Sequence, residues 1–125
     1  VQGLLLTGKS VLIQEYIAES HGKDIRALVV GDRVVAAMRR RARGREFRSN
    51  YHLNGTVEKV ELPPEFEVQA CRAARVLGLN VAGVDLLGGW LSEINITSPT
   101  CLQEIHKNSD LDPAKIFWDA LNKNR

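Results

Sequence analysis

Two cysteines, Cys71 and Cys101, are all that 125 residues contain. That is too few for a disulfide framework, and no pair has metal-ligand spacing. A reducing, cytoplasmic compartment is the expectation. No apolar stretch approaches the ~20 residues needed to cross a bilayer, and no basic-then-apolar start marks a signal peptide, so no membrane partner is expected. Aromatics make up 6% of the chain, which leaves little for the base-stacking platforms of RNA modules. No Ser-His-acid arrangement can be drawn among His21, His52 and His106, and each of these reads as a surface residue. An initiator methionine is also missing: the chain opens at Val1, as a piece of something longer would. The remaining composition is that of an ordinary globular domain, 44% hydrophobic and 26% charged with a net charge of +2.

The most informative stretch is Val81 to Ile96, VAGVDLLGGWLSEINI. It reads as a hairpin, two short apolar runs about a turn at Gly88-Gly89. Glu93 and Asn95 are two apart, so on a strand their side chains leave the same face. A two-residue turn would set Asp85 across from Ser92; a three-residue connection taking in Trp90 would set it across from Glu93. Opposed carboxylates repel, so the second register calls for a cation beside them. Asp, Glu and Asn oxygens suit magnesium. On spacing alone, an ordinary solvated hairpin face accounts for these residues equally well.

Elsewhere, Gly3 to Ser10 matches the spacing of a phosphate-binding loop, but Leu4, Leu5 and Leu6 occupy the part whose amides would cradle phosphate, and the two residues before it here leave no room for the strand it should follow. Residues 1–10 are therefore read as a linker or the end of a preceding helix, and 11–125 as the domain. Val11 to Ile17 reads as a strand. Asp24 to Arg40 reads as a hairpin about Gly31-Asp32, with Arg26 in line with Leu28 and Val30, and Arg40 in line with Val34, Ala36 and Met38. Six arginines between Arg39 and Arg48, with Glu46 the only acid, suit an anionic partner. Val57 to Leu62 is a strand candidate. A helix is expected over Pro64 to Leu77, with Phe66, Ala70, Ala73 and Leu77 on one side and Gly78 closing it; Cys71 within it reads as structural. Cys101 to Ile105 reads as a turn or helical piece, and Asp112-Pro113 should start a last helix burying Ile116, Phe117, Ala120 and Leu121. The fold class expected is α+β, an antiparallel sheet of hairpins with helices packed on one face.

Five segments then occur in a telling order: Gln14-Glu15-Tyr16-Ile17, Gly22-Lys23-Asp24-Ile25-Arg26, Phe47-Arg48-Ser49-Asn50, Ala82-Gly83-Val84-Asp85 and Glu93-Ile94-Asn95. In that order they resemble the ATP-grasp ligases. Val11 to about Gly89 is most similar to the ribosomal-protein glutamate ligase branch, and the tail Glu93 to Thr100 is similar to bacterial glutathione synthetase.

The resemblance implies the C-terminal ATP-grasp subdomain of an ATP-dependent carboxylate–amine ligase that works through an acyl phosphate. It implies a nucleotide site at Gln14, Glu15, Tyr16, Ile17, Glu19 and Asn50, and catalytic arginines at Arg26, Arg40 and Arg48. Two magnesium ions (manganese being an alternative) would be held by Asp85, Glu93 and Asn95, with Ser98 and Thr100 on the acceptor side; Asp24 receives no firm role. Such chemistry needs charge neutralisation and alignment rather than a protein nucleophile. The partners implied are ATP and an amino-acid, small-peptide or acidic protein-tail substrate. The family's earlier half, with its mobile glycine-rich loop, has no counterpart in this sequence. The chain alone is thus expected to be inert, working with that missing half or by self-association. Two rival readings stand beside this one: a non-catalytic binding or oligomerisation module built on the same fold, and an RNA-binding domain using the arginine-rich loop.

Overall fold

The computed structural model describes residues 8, 10, 12–41, 56–99 and 102–123. A single 3-10 turn, Ala18–Ser20, leads into β1 (Lys23–Val30) and β2 (Arg33–Arg41). There follow β3 (Thr56–Lys59), α1 (Pro64–Val76), β4 (Val81–Leu87), β5 (Trp90–Asn95), α2 (Leu102–Asn108) and α3 (Pro113–Lys123). The five strands form one sheet in the order β3-β2-β1-β4-β5, antiparallel at every pairing. This is the α+β architecture that the hairpin pattern indicates.

Strand alternation gives the sheet two apolar faces, and each is covered. Val29, Ala82 and Val84 point to α1, where they meet Ala70, Cys71 and Ala74. The alternate residues Leu28, Val30 and Met38 meet Ile105 of α2 and Ile116 and Ala120 of α3. The helices therefore divide between the faces, one against two. α1 is turned by one position from the expected stripe: Ala70, Cys71 and Ala74 are buried, while Leu77 is exposed. Two small alanines and a cysteine let this helix lie close on the sheet, so the small residues set its contact face rather than the large ones. Gly78, at φ 67°, ends α1, with its N–H donating to the Arg75 carbonyl and that of Leu79 to Ala74. Asp112 caps α3 by accepting the Lys115 N–H at 3.0 Å.

Two bulges correct the simple alternation. Leu28 pairs with Ala36 but Val29 pairs with Val34, so Val35 is the extra residue of β2. Val34 is thereby turned away from the Arg40 face and packs with the α1 core, while Val35 joins the other. In β5, Asp85 pairs with Glu93 and Leu86 with Leu91, making Ser92 the extra residue; its hydroxyl donates to the Asp85 carbonyl at 3.1 Å. The Gly88-Gly89 connection is itself two residues long, since Leu87 pairs with Trp90, and both glycines have positive φ, 57° and 88°. The bulge, not a longer turn, brings Asp85 opposite Glu93.

Further strand expectations are revised. Residues 12–17 take up no strand; their apolar side chains Leu12, Ile13 and Tyr16 are exposed, and strand-like composition alone supplies no pairing partner. The strand expected over Val57 to Leu62 is Thr56–Lys59, ending where Pro63 and Pro64 approach and α1 begins. The piece expected over Cys101 to Ile105 is part of a two-turn helix, Leu102–Asn108.

Candidate active site: a four-ion network beside an Asp-Glu-Asn hairpin

Asp24 and Arg26 stand two apart on β1, and the register puts Arg40 of β2 opposite Asp24 and Asp85 of β4 opposite Arg26. All four side chains therefore leave the same face of the sheet. They occupy its end near Lys23, continuing the rows of Leu28, Met38 and Val81. There they bind one another. Arg26 grips the Asp85 carboxylate with two N–H groups, Nε to Oδ1 and Nη2 to Oδ2, the latter at 2.7 Å. Arg40 Nη2 donates to the same Oδ2 at 2.8 Å. Arg40 also forks onto Asp24, its Nε donating to Oδ1 at 2.8 Å and its Nη2 to Oδ2.

The network is deeply placed: Arg26, Arg40 and Asp85 are only 4–5% exposed. Two positive and two negative groups cancel in charge, and paired burial is what makes such groups tolerable. Burial works against the Arg40 charge. The hydrogen bond to Asp24 and the charges of Asp85 and Asp24 outweigh it, and hold the guanidinium above its ordinary value. Arg40 is thus a permanent cation. Room for Arg26 comes from Gly83, where a Cβ would lie 3.1 Å from Arg26 Cδ and equally close to Pro99 Cβ.

Glu93 lies directly across from Asp85 and Asn95 across from Gly83, so the register brings all three hairpin residues to this face. Glu93 is exposed and Asn95 half-buried. Asn95 Nδ2 is shielded from solvent without a hydrogen-bond partner, an orphaned donor of the kind a ligand satisfies. The donor set of two carboxylates and an amide oxygen fits a hard cation such as magnesium. Among the described residues no group of three or more His, Cys, Asp and Glu is gathered to hold a metal; here the third donor would be an amide.

The other expected residues are spread around this centre. Gln14, Glu15, Tyr16 and Glu19 are exposed and Ile17 half-buried. Ile17 and Glu19 sit at the tip of the β4–β5 hairpin, against Gly88. Ser98 is exposed, next to the Pro99 that covers Gly83. Arg48, Asn50 and Thr100 lie outside the described residues. Two participants carried too weak a signal in the sequence. Asp24 could have been found from its period-two spacing to Arg26, and the Ser92 bulge from the three-residue spacing of Leu91 and Ile94, both of which pack on the α1 side.

The antiparallel sheet thus sets a charge-balanced Arg-Asp network beside an Asp-Glu-Asn hairpin on one face. The family is established by comparison: the RimK-like ATP-grasp domain matches residues 1–121, and the chain belongs to that family. It is similar to the "Probable alpha-L-glutamate ligase" of Rhodopirellula baltica, 46% identical over 124 residues, covering 98% of this chain and 31% of the relative. It is also similar to the protein of the same name from Picosynechococcus sp., 50% identical over 119 residues, covering 92% and 39%. The chain thus spans about a third of the length of these relatives. Among solved structures, the ATP-grasp ligase PsnB complexed with minimal precursor matches with a TM-score of 0.65 and 26% identity, covering 83% of this chain and 35% of that one. PsnB complexed with precursor peptide PsnA2 and AMPPNP matches with a TM-score of 0.61 and 25% identity, covering 82% and 32%. Among the described residues no helix is long and apolar enough to cross a membrane.

Proposed function

We propose that this chain is the metal-holding part and one wall of the nucleotide site of an ATP-dependent carboxylate–amine ligase. The observation that carries the reading is the Asp85 carboxylate, shared between Arg26 and Arg40 and opposed by Glu93. Asp85, Glu93 and Asn95 would hold magnesium, or manganese in its place, and the ion when bound neutralises phosphate oxygens. Asp85 would then be shared between the ion and the two guanidinium groups of Arg26 and Arg40. Both arginines would turn part of their donor capacity to the polyphosphate of ATP or the phosphate of an acyl phosphate. Charge is exchanged within the site rather than created, which suits a reaction driven by alignment and electrostatic stabilisation.

Gln14 to Ile17 and Glu19 would meet the base and ribose, with Arg48 and Asn50 assisting the phosphates and Ser98 and Thr100 the acceptor. The bond formed would be of peptide type, an amine displacing phosphate from the activated carboxylate. Relatives named for α-L-glutamate ligation align through the Glu93 to Thr100 tail as well as the middle, which favours a glutamate-type reaction over a glutathione-synthetase one. A related ligase solved with a precursor peptide supports a peptide acceptor, and the arginines from Arg39 to Arg48 would suit an acidic one. The rest of the catalytic cleft would come from the two thirds of the relatives' length that this chain does not span, so the chain by itself should bind nucleotide weakly and turn over nothing.

The test is a calorimetric titration of ATP with and without magnesium, using wild type and Glu93→Gln. Glu93 takes no part in the ion network, so its loss leaves the fold intact. Binding that requires magnesium and weakens at least tenfold in E93Q is expected. Binding that ignores both would exclude the reading.

A further inference from the structure

The tip of the β4–β5 hairpin is clamped from two sides. A Cβ at Gly88 would lie 2.5 Å from Ile17 Cγ2, with the Ser20 nitrogen at 3.7 Å and Glu19 Cβ at 3.9 Å. At Gly89 a Cβ would reach Phe66 Cζ at 3.4 Å, on the first turn of α1. The clash at Gly88 is not with the free end of a long side chain: isoleucine is branched at Cβ and stiff about χ1, so relief requires the backbone of Ile17 to move. Gly31 provides an internal contrast. It has nearly the same backbone, φ 66°, yet nothing lies within 4 Å of its missing side chain.

We propose that Gly88 is a positioning residue, whose bare backbone seats Ile17 and so fixes the segment from Ile17 to Ser20 to the hairpin that carries Asp85 and Glu93. The nucleotide consequence rests on the reading above: the Gln14–Ile17 edge and the metal ligands would then be held in one fixed relation. Gly88 stands only three residues from Asp85 along β4, so a displacement at the tip has a short path to the site. Nothing in the ion network touches Gly88, which separates this contact from the chemistry.

The test compares Gly88→Asn, Gly31→Asn and the double variant Gly88→Asn/Ile17→Ala, since asparagine tolerates positive φ. Hydrogen exchange at the Ser20 and His21 amides, which donate to Ile17 O at 3.1 Å and Ala18 O at 3.0 Å, reports the seat without reference to nucleotide. Expected are a tenfold or greater loss of protection in G88N, recovery of most of it in the double variant, and wild-type behaviour in G31N. Affinity for ATP with magnesium should fall in G88N and keep its wild-type value in G31N. Unchanged protection in G88N, or a double variant no better than the single one, would overturn the proposal. Protection that follows the expected order while ATP affinity stays constant would overturn the nucleotide reading and leave the seat standing. Should G88N fail to fold while G31N folds, Ile17→Ala alone serves: it opens a gap over Gly88 and should lower protection at Ser20 and His21, and an unchanged value contradicts the seat.

Discussion

The two ends of β1 put opposite chemistry on the same face of one strand. At one end Leu28 and Val30 are sealed under Ile105, Ile116 and Ala120; at the other Arg26 is almost as dry and Asp24 half-buried, both among ions. The apolar end is non-directional and tolerates substitution in proportion to the volume removed. The ionic end depends on all its members, because each charge is buried against another. A fold that merely needed stability would gain more from apolar residues at such positions. That it carries four ions there instead points to use of the charges.

The sharpest way to break this contrast is Asp85→Ala, which leaves Arg26 and Arg40 buried without their shared carboxylate. Loss of one partner from a buried network costs ~3–5 kcal/mol, to be read from urea unfolding. A loss under ~1 kcal/mol would mean that the network behaves as a surface pair. Next, Val84→Ala in the fully buried α1 core removes two methyl groups and should cost about 2 kcal/mol, independent of salt. A strong salt dependence there would contradict the division into an apolar and an ionic region.

A smaller effect is expected at Cys71. Burial, with Glu67 and Asp32 nearby, pushes its thiol above the ordinary value. A raised folded value contributes stability that is complete below the unfolded value near 9.0 and is lost as pH rises through the folded one. The stability gap between wild type and Cys71→Ala should therefore narrow as pH climbs above 9 in a thermal-melt series; a gap that widens has the wrong sign. Smallest of all is Arg39→Ala. Arg39 pairs with Glu58 at 3.0 Å with both side chains well exposed, and such pairs contribute ~0–1 kcal/mol, screened by salt. Loss of one charge thus costs little at exposed Arg39 and much at buried Asp85.

Much of the architecture was legible in the sequence because its signals are local. Gly31-Asp32 and Gly88-Gly89 mark hairpins, Pro64 and Gly78 bracket α1, and Asp112-Pro113 opens α3 where expected. What stayed hidden depends on pairing. Neither Val35 nor Ser92 announces a bulge in isolation, yet each moves its neighbours to the other face. The stretch before Ile17 has the composition of a strand but pairs with no strand among the described residues. The site was half legible: period two keeps Glu93 and Asn95 together, but the Ser92 bulge brings them to the Asp85 face and the Val35 bulge brings Arg40 to the Arg26 face. The grip of Arg26 on Asp85 joins residues 59 apart in sequence, and no local pattern carries that information. Asp24 stayed in the background for the same reason, since its importance lies in what it does to Arg40.

The most direct test of the charge-exchange account is nitrogen-15 NMR of the Arg26 and Arg40 Nε–H groups as magnesium and ATP are added separately and together. The account predicts that magnesium alone moves both resonances in part and that ATP with magnesium moves them furthest, as Asp85 shares its hold with the ion and the arginines turn to phosphate. ATP binding with both resonances unmoved would show that Asp85 keeps its arginines, and would leave the network a structural feature of the fold.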